Sequence, residues 1–229
     1  VSGLMDVKSW KEIPALHKCV KVWESYQNTI PDSPLTKKDW SFNSIRPANY
    51  PYRRIAGLAY LVAIHEKKGL FANFIQGVNT LKANSKTQKP MQNFLDFFCV
   101  NSTDYWSRHY TPGGKTLAEP QQLIGAARSR EIMINIGLPI GLIFARAGKL
   151  SALEECLNTL FQISKGASDN KLIRFMKHYI FGDRKEMVKL LTSEKQVQGL
   201  MQIYQDFCAQ SENNCLRCPF PGVVKKNFS

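Results

Sequence analysis

The sequence has no uninterrupted apolar run of the ~18 to 20 residues that a membrane-crossing helix requires. Its longest apolar stretch, 132–145, is broken by Asn135, Gly137, Pro139 and Gly141 and reads as buried core, with Asn135 expected to find hydrogen-bond partners there. The opening VSGLMDVKSW lacks an initiating methionine, a basic start and an apolar signal core. Neither a secretory nor a transit peptide is expected, and the start reads as a boundary within a longer protein. Cysteine is sparse and unevenly spaced, with 6 in 229 residues. That argues against the disulfide framework of a small secreted domain and for a reducing cytoplasm, with no membrane partner. Alternating β-branched runs of strand length are scarce, which argues against a sheet.

Acidic residues are also few beside basic ones. The 18 Asp and Glu face 31 Lys and Arg, a formal net charge of +13. Such a field attracts polyanions: nucleic acid, anionic lipid or an acidic protein surface. At 44% hydrophobic and 21% charged the composition is that of a globular chain, neither disordered nor fibrous.

Apolar positions recur mainly at three- and four-residue spacing, which predicts a mainly α fold: one irregular multi-helix domain over 1–229 with a short cysteine-bearing C-terminal tail. Helices are expected over 14–28, with Leu16, Val20 and Trp23 on one face, and from Pro51 to Gly69, with Ile55, Leu58, Ala59 and Val62 inward. Others are expected over 71–83, 91–100, 119–147 (broken near Pro139), 151–164, 171–181, 186–191 and 194–208. The aromatic stretch 101–115, NSTDYWSRHYTPGGK, reads as a long ordered loop.

Three constellations carry possible chemistry. Cys208, Cys215 and Cys218 form C-x6-C-x2-C, a spacing that lets three thiolates converge on one metal and staple the segment 194–222. Cys156 or Cys99 would supply a fourth thiolate through the fold; His178 or His109 would favour zinc over an iron-sulfur cluster, and reduced structural cysteines are the alternative. The same intervals open the iron-sulfur loop of some DNA glycosylases, although Val224 stands where a fourth cysteine would fall. The second constellation is Arg46, Arg53, Arg54, Arg128 and Arg130, whose guanidinium groups suit phosphates. Arg53 and Arg54, near a helix start, invite an anionic partner. The third is Lys171, Arg174 and Lys177, with Leu172, Phe175, Met176 and Tyr179 assigned to the apolar side of the same helix; the stripe either tracks a phosphate backbone or is a solvated face. Tyr105, Trp106 and Tyr110, interleaved with Arg108 and His109, either stack bases or cover a loop core.

Other signals fail. Gly113-Gly114-Lys115-Thr116 lacks the first glycine of a phosphate loop, since His109 occupies its place. Acid-x-Lys triplets at Asp6, Glu66 and Asp183 have no strand or second acid beside them, and no nucleophile elbow or zinc-protease spacing occurs. No catalytic centre is legible in this segment.

RPANYPYRRIAGLA, GAARSREIMINIGLP and QGLMQIYQDFCAQSENNCLRCPFPG, in that order, resemble three signature blocks of an uncharacterised bacterial family, the domain of unknown function numbered 2851. The resemblance spans about 40–222. It implies that this chain is the C-terminal helical portion, bearing Arg46, Arg54, Arg128 and the cysteine cluster, and that a restriction-type nuclease core with a GD-x-E-x-H-like segment precedes it. The leading expectation is therefore a nucleic-acid-binding helical module accessory to a nuclease-like domain. A protein-interaction scaffold is the alternative and a stand-alone enzyme comes third.

Overall fold

Three- and four-residue apolar spacing becomes helix along most of the chain in a computed structural model, which describes residues 4, 7–26, 29, 37–40, 42–43, 45–83, 93–164, 171–210, 216 and 218–228. The protein is mainly α, and an isolated antiparallel bridge joins Val100 to Ile124. No helix among the described residues is long and apolar enough to cross a membrane. The chain divides into two compact units, Val1–Ile75 with Asp96–Arg130 and Gln76–Leu95 with Glu131–Ser229.

In the first unit, Pro14–Leu16 forms a turn of 3-10 helix that leads into the His17–Tyr26 helix, and Leu16 and Val20 are buried as expected from their spacing. The Pro51–Ile64 helix starts on a proline, whose missing N–H costs nothing in a first turn. Its buried face is Arg53, Ala56, Gly57 and Leu61, whereas Leu58 and Val62 are exposed, the reverse of the expected face. Apolar residues surround this helix almost completely, so periodicity alone could not choose a side. Small residues decide it, because a Cβ on Gly57 would lie 3.1 Å from Ile124 Cγ1 and 3.4 Å from the Leu123 carbonyl oxygen. Trp10, Tyr52 and Trp106 form a ring triangle with centroids 6.0 to 6.4 Å apart. Of the helix expected over 91–100, 93 and 94 are helical within the described part, and 95–98 then turn, with Phe97 and Phe98 beside Phe74 at 5.8 and 6.0 Å.

The second unit pairs helices Leu138–Ala147 and Ser151–Ile163 across a tight connection at Gly148 and Lys149. Leu138, Leu142, Ala145, Leu153, Leu157 and Leu160 are buried there, each large side chain contributing ~1.5 to 3 kcal/mol relative to exposure. The helix expected from 119 starts at Ala126, and its irregularity lies near Pro139 as expected: Met133–Gly137 is a π turn, with Leu138 N–H donating to Met133 O. The wider turn accommodates a proline that has no N–H to give. Asn135 is exposed, donating to Glu131 O at 2.9 Å and accepting from Gln198 at 2.8 Å, which replaces the buried role expected for it.

Farther along, helices Lys171–Phe181 and Glu194–Ile203 pack around Met176, Leu200 and Cys208. Ser193 and Gln196 form a capping box at the start of the latter. A Phe220–Phe228 helix, unforeseen from the sequence, follows the cysteine segment.

Candidate nucleic-acid interface

Arg53 was expected to meet an anion, and the protein supplies its own acceptors instead. Only 2% of the residue is exposed. Nη1 donates to the carbonyls of Trp106 and, at 3.4 Å, His109; Nη2 donates to those of Gln121 and Gln122 at 3.0 and 3.1 Å. Tyr110 lies across the guanidinium with its centroid 5.2 Å away. Burial pulls the arginine pKa below its ordinary value, with Tyr110 opposing the shift, yet arginine stays charged in any physiological range. Its charge is spread over carbonyl dipoles, so Arg53 is a tie between a helix and a loop and not an open phosphate contact.

The loop it organises is built with equal care. Arg108 donates to Leu117 O at 3.2 Å and Ala118 O at 2.8 Å, while Leu117 N–H returns a bond to Arg108 O at 2.8 Å. His109 stacks on Tyr105 at 4.0 Å and is held by Tyr105 O and the Thr116 hydroxyl. Gly113, at a φ of +65°, donates its N–H to the Tyr105 hydroxyl at 2.8 Å. Tyr105 and Trp106 thus cover the loop's own core, one of the two roles open to them. Burial also raises the Tyr105 pKa.

The remaining arginines are more accessible. Arg54 is half-buried and donates to Asn49 Oδ1, whereas Arg46 is exposed and makes no side-chain hydrogen bond or ion pair among the described residues. Arg128 and Arg130 stand exposed on the Ala126–Ile132 helix, and Arg130 is paired with Asp96 at 3.1 Å. Such an exposed pair stabilises by only ~0 to 1 kcal/mol and can be exchanged for a phosphate.

The most telling surface is on the Lys171–Phe181 helix of the second unit. Ile173 and Met176 are buried, while Lys171, Arg174, Phe175, His178 and Tyr179 are exposed at the i, i+3, i+4, i+7 and i+8 spacing of one helix face. Phe175 and Tyr179 stack at 5.1 Å and remain 39% and 36% exposed, with Tyr204 edge-on to Phe175 at 6.2 Å. This corrects their assignment to the apolar side: the aromatic pair shares the face of the cations. Lys177 is half-buried on the flank. The helix is followed by exposed Arg184, Lys185 and Lys189 beside the acids Asp183 and Glu186.

A family model described as a protein of unknown function (DUF2851) matches residues 2–170. The chain belongs to this family. The DUF2851 match contains the blocks at 46–59 and 125–139, begins well before residue 40, and ends before the cysteine block. Neither a curated protein nor a solved structure matches the chain.

The cysteine block is only partly visible in this DUF2851 chain, since Cys215 lies outside the described residues. Cys208 is 8% exposed within the Met176 and Leu200 cluster, and Cys218 is half-buried. Phe207 and Phe220 meet at 5.1 Å, which ties together the two flanks of the block. Cys156 does not fit the role of fourth ligand: it is buried in its helix with its thiol donating to Val78 O at 3.7 Å. Cys99 is half-buried with its thiol pKa raised by burial. Among the described residues no three His, Cys, Asp or Glu side chains stand close enough to hold a metal.

Sequence reasoning also missed an aromatic cleft of about 830 Å3 in the first unit, lined by Trp10, Trp23, Tyr52, Tyr60 and Trp106 with Asp104 as its carboxylate. Tyr60 donates its hydroxyl to Asp104, and burial first and this carboxylate second raise the tyrosine pKa. These residues are scattered in sequence, and no spacing links them.

Proposed function

We propose that this DUF2851 chain is a nucleic-acid-binding helical module, accessory to a nuclease-like domain outside it, and that the Lys171–Phe181 face is its contact surface. One observation carries the reading: Lys171, Arg174 and His178 share a solvent-facing helix surface with the stacked pair Phe175 and Tyr179. Lys171 and Arg174 at that spacing attract a phosphate backbone and release its counterions, His178 adds a hydrogen-bonding ring, and exposed aromatics accept bases at ~1 to 3 kcal/mol per stack. The net charge of +13 supplies the long-range attraction. Arg46, Arg54, Arg128 and Arg130 are secondary contacts in the proposal, and Arg53 is not one.

The test is binding of labelled single- and double-stranded DNA and RNA across a salt series. Saturable binding that weakens steeply with salt is expected. The double variant Lys171→Ala, Arg174→Ala should lower the log–log salt slope by about 1.5, two contacts at ~0.7 to 0.9 each. No binding at low salt, or an unchanged slope in the folded variant, overturns the proposal.

A protein-interaction scaffold is the second reading, and it has its own observation. Ile136, Ile140, Ile143 and Phe144 form an exposed apolar stripe, 52, 48, 68 and 43% accessible. A patch of this kind marks surfaces that partner proteins cover. Binding of a protein partner that is lost in Ile140→Asp, with no nucleic-acid affinity in the parent chain, would put this reading first.

A further inference from the structure

A cleft of about 610 Å3 opens in the first unit between the 3-10 turn Pro47–Asn49 and the loop that Arg53 and Arg108 hold together. Its size falls in the ~300 to 1,000 Å3 range of small-molecule sites. Its chemistry is one-sided. Tyr50 and Tyr110 border it with phenol rings, Pro47 and Leu117 add apolar contact, Thr111 and Thr116 add hydroxyls, and among the described residues Lys115 alone brings a charge to the lining. Lys115 is exposed and makes no hydrogen bond or ion pair among the described residues.

We propose that this cleft takes a nucleotide, with the flat base against the tyrosine rings and the phosphate on Lys115. A flat heterocycle suits the phenol and proline surfaces, and a lysine ammonium suits phosphate as a compact point charge. Among the described residues no carboxylate lines the cleft to repel the anion. The walls are also set before binding. Arg53 lies 5.2 Å from the centroid of Tyr110 and stiffens that ring, and the His109 bond to Thr116 fixes the residue after Lys115. A site so prepared loses little freedom on filling. At the rim, a Cβ on Gly114 would displace the Thr111 hydroxyl and press on its carbonyl oxygen at 3.2 Å. The site is independent of the Lys171–Phe181 surface, and the nucleotide has two possible sources, free in solution or part of a strand.

Calorimetric titration of the whole chain at low salt with adenosine monophosphate, adenosine, inorganic phosphate and a five-nucleotide deoxyadenosine strand tests the proposal. Saturable binding of the monophosphate is expected, with adenosine and phosphate alone each weaker by about ten-fold or more. Lys115→Ala should weaken the monophosphate by about ten-fold and leave adenosine unchanged. Tyr50→Leu should weaken both, and the Lys171→Ala, Arg174→Ala variant should change neither. Binding of the strand alone, weakened by Lys115→Ala in the Lys171→Ala, Arg174→Ala background, would identify a strand as the source and equally support the site. If no probe binds, or if Lys115→Ala leaves every affinity unchanged, the proposal fails. Lys115 is exposed and makes no hydrogen bond or ion pair among the described residues, so this variant decides the matter even where Tyr50→Leu does not fold.

Discussion

Arg53→Met removes the guanidinium while keeping much of the side-chain volume, and it tests whether this residue is a structural tie. In the native protein the group serves carbonyl oxygens of Trp106, His109, Gln121 and Gln122 from a site that is 2% exposed. A hydrogen bond from a charged donor contributes ~1.5 to 3 kcal/mol, so the bonds to Trp106, Gln121 and Gln122 amount to about 5 to 9 kcal/mol. Against this stands the cost of burying a charge, several kcal/mol, which the methionine no longer incurs. The carbonyls left behind then cost ~1 to 3 kcal/mol each unless water reaches them. A net loss of about 3 to 5 kcal/mol follows, close to what breaking other buried charged networks costs. Urea unfolding followed by tryptophan fluorescence reads it, since Trp106 carries one of the acceptors. Arg53→Lys should lose about half as much, because an ammonium cannot span two pairs of carbonyls. Arg54→Ala should lose less than about 1 kcal/mol, as expected of an accessible side chain. A change below about 1 kcal/mol in Arg53→Met would refute the argument and reopen Arg53 as a ligand contact.

Two further predictions concern the second unit. Glu194 is 2% exposed, its Oε1 has no hydrogen-bond partner among the described residues, and burial raises its pKa. A raised folded-state pKa means the folded chain holds this proton more tightly than the unfolded one, so Glu194 costs nothing below the ordinary carboxylate range and costs most above its raised value. Glu194→Gln should therefore be more stable than the parent by about 1 kcal/mol at neutral pH. That advantage should vanish in acid, and a less stable variant in pH-dependent denaturation would contradict it. For the cysteines, the proposal is a structural zinc on Cys208, Cys215 and Cys218 that staples the tail. Elemental analysis should find about one zinc per chain, and chelation should speed proteolysis beyond residue 208, as loss of a folding-coupled metal does. Metal-free protein with three freely titrating thiols would defeat it.

Much of the helical layout was legible because amphipathic periodicity survives folding. The 171–181 helix has the boundaries its pattern predicts, and Leu16 and Val20 are buried where spacing puts them. The 91–100 segment misled beyond 94, because Phe97 and Phe98 continue the spacing of a helical face while standing in a turn beside Phe74. Of the candidate site, the cations of 171–177 were visible as a stripe. That Phe175 and Tyr179 share their face also follows from the i+4 spacing, but large aromatic side chains are ordinarily buried, whereas these remain 39% and 36% exposed. The tail helix escaped notice because Pro221 and Gly222 lie within its first turn, where both are tolerated.

By itself, the sequence determined the helical class, the polyanion-attracting charge and, through its motif blocks, membership of DUF2851. These properties are local or additive, so they can be read residue by residue. Only the tertiary structure decided that Arg53 faces inward and Leu58 outward, that Cys156 bonds Val78, and that Tyr50, Tyr110 and Lys115 border one cleft. Each of these depends on what a distant segment presents: loop carbonyls 53 to 69 residues away for Arg53, and Leu123 and Ile124 beside Gly57. A one-dimensional pattern states how apolar each face is. Which face is buried depends on the shape and unpaired polar groups of its partner, and those exist only once the chain has folded.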